Sequence, residues 1–131
     1  KTGEDIHALP CSIGDHNILS KYLKVMKSGT KICTVKKKNY LPVHEISMSV
    51  YLKKDRFPVI NLNLNQSISY LRRDNLVLEN VGKGWNIVCY NDINLGFINN
   101  IGNRINNYYP VEWRIRMNIP QHPESKIIRW K

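Results

Sequence analysis

No apolar run in the chain approaches the roughly 18 residues that a membrane-spanning helix needs. A helical membrane protein is excluded, and no membrane partner is expected. No charged segment leading into an apolar stretch opens the sequence, so no secretory signal is expected either. Cysteine is scarce: Cys11, Cys33 and Cys89 are odd in number, far apart and without a C-x-x-C pair. That spacing argues against a disulfide framework or a zinc site and fits a reducing, cytoplasmic compartment. Acid is also scarce. Ten Asp and Glu face 20 Lys and Arg, giving a net charge of +10 and a pI near 9.7. A cationic partner is disfavoured, and nucleic acid or another polyanion becomes the first expectation. There is no G-x-G-x-x-G, no phosphate-binding Walker loop and no H-E-x-x-H. His7, His16, His44 and His122 lie too far apart for metal-ligand spacing, and carboxylates such as Asp92 and Glu112 read as solvated.

What remains is a chain of 131 residues, 42% hydrophobic and 23% charged, which suits one ordinary domain or two small ones. It begins at Lys1 without a Met, and is expected to be a piece of something longer. The basic excess is shared: residues 1–65 hold 11 basic and 5 acidic residues, residues 66–131 hold 9 and 5. Ile18, Leu19, Tyr22, Leu23 and Met26 recur at helical spacing, with Asp15 as N-cap and Gly29 as stop. Lys31 to Val35 reads as a strand and Lys36-Lys37-Lys38-Asn39 as a basic turn. His44 to Leu52 reads as a short helix, Phe57 to Leu62 as a strand, and Gln66 to Arg73 as a helix capped by a preceding Asn. From Leu76 the period shortens. Gly84 to Tyr90 and Leu95 to Ile98 read as strands joined through Asn91–Asn94, since Asn and Asp tolerate positive φ. Ile105 to Tyr109 is extended. In Trp113-Arg114-Ile115-Arg116 the apolar residues are expected on one face and the arginines on the other. The expected architecture is α+β: a small mixed subdomain over 1–64, a helix plus small β-barrel over 65–117, and an extended basic tail over 118–131.

The candidate chemistry is binding rather than catalysis. Cys11 follows Pro10 in a loop, but it has no basic neighbour and lies near Leu9 and Ile13, so a buried structural cysteine is expected. Lys36, Lys37 and Lys38 can grip phosphates or simply aid solubility. Arg72 and Arg73 can do the same, or can complement a helix C-terminus. The richest stretch is Gly102 to Arg116. Its arginines Arg104, Arg114 and Arg116 suit phosphates. The rings of Tyr108, Tyr109 and Trp113 suit stacking or core packing, and the amides of Asn106 and Asn107 suit base edges or the 2′-OH.

This stretch also carries a resemblance. Gly84-Trp-Asn-Ile-Val-Cys-Tyr90, Leu95-Gly-Phe97 and Gly102-Asn-Arg-Ile-Asn-Asn-Tyr-Tyr-Pro-Val-Glu-Trp-Arg-Ile-Arg116 resemble the C-terminal PUA-like domain of Sun-family RNA 5-methylcytosine methyltransferases of the RsmF type. Ser69-Tyr70-Leu71-Arg72 is similar to the helix that opens that domain, and Ile18 to Leu64 to the small domain before it. The resemblance implies an rRNA-binding part of an S-adenosylmethionine-dependent cytosine-C5 methyltransferase. Cofactor and catalytic cysteines would lie in an N-terminal domain of the same polypeptide that this chain lacks. Pro10-Cys11-Ser12 echoes the family's catalytic loop without its flanking residues, so no catalysis passes to Cys11 and no cofactor is expected in this chain. Asn99 and Asn106 stand where family members carry Lys. The expected partners are ribosomal RNA and the missing domain. The alternatives are a standalone PUA-like RNA-binding protein, or a protein-interaction domain whose charge serves solubility.

Overall fold

A computed structural model describes residues 4–37 and 39–117. Its contacts group the chain into two units that divide between Lys53 and Lys54.

The first unit is a three-stranded antiparallel sheet in the order β1 (Asp5–Ala8), β2 (Thr30–Lys36), β3 (Asn39–Pro42). Helix α1 (Ile13–Tyr22) connects β1 to β2, and the single turn α2 (His44–Ser47) packs on β2. Ser12, not Asp15, caps α1, and its hydroxyl accepts from the Asp15 N–H at 3.1 Å. The helix stops at Tyr22, short of the stop expected at Gly29. Gly29 serves a different need. Its φ is +67°, and a β-carbon there would collide with the Ala8 carbonyl, so the approach of β2 to β1 requires glycine. Ile18, Leu19, Tyr22, Leu23 and Met26 share the spacing of a buried stripe but are all exposed. The second expected helix, His44 to Leu52, shrinks to α2. Ser47 explains part of this: buried, it turns its hydroxyl back to the His44 carbonyl at 2.6 Å. Asp5 closes the sheet edge. It accepts from Lys31 Nζ at 2.9 Å and Thr34 Oγ1 at 2.9 Å, and these bonds hold its carboxyl below the usual range.

The second unit is a four-stranded sheet in the order β4 (Val59–Asn61), β5 (Gly84–Tyr90), β6 (Ile93–Asn100), β7 (Ile105–Asn107). β4 lies parallel to β5, and the remaining pairs are antiparallel. Because β4 is hydrogen-bonded to β5, the unit begins before the boundary expected at 64/65. Helix α3 (Leu64–Arg72) lies against one face. Asn63 caps it through a reciprocal box with Gln66, at 2.9 and 3.0 Å. Tyr70, fully buried, meets Val88, Ile98 and Leu62 there, with Leu71, Ile105 and Tyr109 packed around them. The Tyr70 hydroxyl donates to the Phe97 carbonyl at 3.2 Å, and burial raises its phenol above the usual value. On the opposite face Ile87 and Phe97 are buried; the Phe97 ring meets Phe57 and Trp85 edge-on, and Trp85 in turn meets Tyr108. Asn91 and Asp92 both have positive φ and form the two-residue β5–β6 turn. Leu76 to Leu78 has no regular structure.

The expected strand at Trp113–Arg116 does not form. After Pro110 the backbone makes a short 3₁₀ turn, Val111–Trp113, and then runs extended, with the Ile115 N–H donating to the Leu71 carbonyl at 3.1 Å. Trp113, expected in the core, is 60% exposed. Without a strand, alternation no longer assigns faces. Cys11, expected to be buried, is exposed, whereas Cys33 and Cys89 are buried. The tail expected over 118–131 lies outside the described residues.

Candidate nucleic-acid interface

The second unit carries an open cleft of about 670 Å³ beside the C-terminus of α3, β7 and the 108–112 segment. Its position follows from local chemistry. Arg73 ends α3 in the left-handed conformation, φ +63°, and its N–H caps the Ser69 and Tyr70 carbonyls. The chain then leaves the helix through Asp74 and Asn75, which form one wall. β7 and the residues after it form the other.

Three side chains hold these walls together. The Arg73 guanidinium donates to the Tyr109 carbonyl. Asn107 donates to the Tyr70 carbonyl at 2.8 Å and accepts from the Tyr109 N–H at 2.9 Å, so both ends of its amide are engaged. Arg72 donates to Asp74 at 3.0 Å and to the Met117 carbonyl at 2.8 Å. Arg72, Arg73 and Asn107, all expected as RNA contacts, use these hydrogen bonds to tie α3 to the C-terminal part of the unit. Tyr108 lines the cleft too, with its ring set edge-on to Trp85 at 4.4 Å. That contact fixes the ring and leaves it half-buried.

The remaining cleft groups are open. Arg104 is exposed and lines both this cleft and a second one, of about 420 Å³, bordered by Leu76 to Val81 and the 100–105 turn. The Arg104, Asn106 and Glu112 side chains make no hydrogen bond or ion pair among the described residues. Asn106 pairs in register with Asn99, so the two asparagines are cross-strand neighbours.

The other expected contacts lie elsewhere. Arg114 and Arg116 are exposed but line neither cleft. Lys36 ends β2 and Lys37 sits in the β2–β3 turn at φ +54°, both exposed, in the first unit. Lys38 lies outside the described residues. Sequence reasoning missed Asp74 and Asn75 entirely and treated Glu112 as merely solvated. A lone carboxylate in a loop carries no periodic signal.

Residues 57–115 match the family model described as the methyltransferase RsmF PUA domain. The match runs from Phe57 through β4, α3 and the β5–β7 strands to Ile115, so it spans the sheet, its packing helix and the cleft. No curated protein matches the chain.

Proposed function

We propose that this chain, whose second unit is a PUA domain of the RsmF methyltransferase type, is the RNA-docking portion of an rRNA cytosine-C5 methyltransferase. In this reading it holds ribosomal RNA and helps present the target cytosine. Methyl transfer is left to an S-adenosylmethionine-dependent domain of the same polypeptide in the bacterial cytoplasm. The observation that carries the reading is the family match across residues 57–115. The cleft supports it chemically. Arg104 offers a guanidinium fork to phosphate, Asn106 offers an amide to a base edge or 2′-OH, and the net charge of +10 draws a polyanion in.

The reading assigns neither cofactor nor chemistry to the chain itself. Cys11 and Cys33 belong to the first unit and Cys89 is buried in the sheet of the second. Two titrations test the division of labour. Calorimetry with S-adenosylmethionine should give no saturable heat, and a fluorescently labelled single-stranded rRNA fragment should bind with saturation. Saturable cofactor binding, or no RNA binding, would contradict the reading.

A further inference from the structure

The cleft is not uniformly basic. Two carboxylates, Asp74 and Glu112, line it beside Arg73 and Arg104. A carboxylate repels phosphate, so a groove that only tracked an RNA backbone would bind more tightly without either. The two differ in what they already do. Asp74 accepts from the Arg72 guanidinium at 3.0 Å, whereas Glu112 has no ion pair or hydrogen bond among the described residues. Glu112 is exposed in the short 111–113 turn, next in sequence to the exposed ring of Trp113. An uncommitted carboxylate in a cleft that also holds an open guanidinium suits a base edge rather than a phosphate. Guanine fits it best. Its Watson–Crick edge places two donors side by side, the ring N1–H and the exocyclic amino group, and these match the two oxygens of one carboxylate. Adenine and cytosine set an acceptor nitrogen beside their amino group, which would repel the second oxygen. Uracil offers one ring N–H between two carbonyls.

We propose that the cleft selects an unpaired guanine, with the Glu112 carboxylate accepting both guanine donors while Arg104 holds a flanking phosphate. This rests on the reading of the second unit as an RNA-binding domain and adds the base it prefers.

The test is equilibrium titration of the full chain with four labelled RNA hexamers: hexauridine, and the same strand with one central guanosine, adenosine or cytidine. The guanosine strand should bind about tenfold tighter than hexauridine, within the range of a good bidentate pair. Glu112→Gln should abolish that preference, because an amide offers one donor beside one acceptor and no longer matches two adjacent guanine donors. If Glu112 only faced solvent, removing its charge would raise affinity for all four strands by the same factor, and that result would overturn the proposal. Wild-type binding without base preference would also overturn it while leaving the RNA-binding reading intact. No binding to any strand would remove both.

Discussion

Tyr70 shows how much a single side chain holds in the second unit. It is fully buried between α3 and the sheet, and its hydroxyl reaches the Phe97 carbonyl. That carbonyl also accepts the Tyr108 N–H at 3.1 Å, so Tyr70→Phe leaves no orphaned acceptor. Its cost in urea unfolding should therefore be small, about 0.5–1.5 kcal/mol. Tyr70→Ala opens a cavity in the same core and should cost about 3–5 kcal/mol. Trp113→Ala should cost far less than Tyr70→Ala, because Trp113 is 60% exposed. Arg104→Ala should leave stability within about 0.5 kcal/mol, as exposed substitutions do. The same denaturation series checks all four variants, and a Trp113→Ala loss as large as that of Tyr70→Ala would contradict the exposed placement.

At the scale of elements, the joint between α3 and the exit of β7 is the piece the cleft depends on. Asn107→Ala removes a donor from the Tyr70 carbonyl and an acceptor from the Tyr109 N–H. It should cost about 1–3 kcal/mol for the groups left unpaired. It should also weaken RNA binding, without an RNA contact of its own, when binding is measured well below the unfolding midpoint. The first unit has an acid-sensitive joint. Hydrogen bonds from Lys31 and Thr34 lower the Asp5 carboxyl. Burial pushes Glu45 up, but its bonds to Lys27 and the Lys31 N–H outweigh this and leave it lowered. His44 is lowered by burial. All three bind protons more readily when unfolded, so the stability they supply is present near neutral pH. It is lost as pH falls, first through the histidine range and then through the carboxylates. Asp5→Asn should flatten the carboxylate part of that profile in thermal melts followed by circular dichroism. Where elements carried their own local chemistry, they were legible in the sequence. A preceding Asn does cap α3, although it is Asn63 and the helix begins at Leu64, two residues before Gln66; Asn91-Asp92 supply the positive φ of the β5–β6 hairpin. Trp113 to Arg116 misled because its alternation mimics a strand, while Pro110 and the 3₁₀ turn after it remove that segment from the sheet. The α1 stripe misled because helical spacing shows which residues share a face, not whether anything covers it.

Across the whole molecule, the second half of the chain supplies residues that line the cleft, but the sequence does not show what each of them does there. Arg104 and Asn106 line the cleft without a hydrogen bond or ion pair among the described residues, whereas Arg72, Arg73 and Asn107 are hydrogen-bonded around it. Neighbouring arginines look alike in sequence, and only the carbonyls they reach separate a structural guanidinium from an available one. If the cleft binds RNA through Arg104, as proposed, the salt dependence of affinity will carry the mark of that contact. Wild-type affinity for a single-stranded rRNA fragment should fall linearly in log–log form as salt rises. Arg104→Ala should weaken binding and flatten the slope by about 0.7, one phosphate contact on a single strand. An Arg104→Ala slope and affinity equal to wild type would contradict the account and move the RNA surface off this cleft.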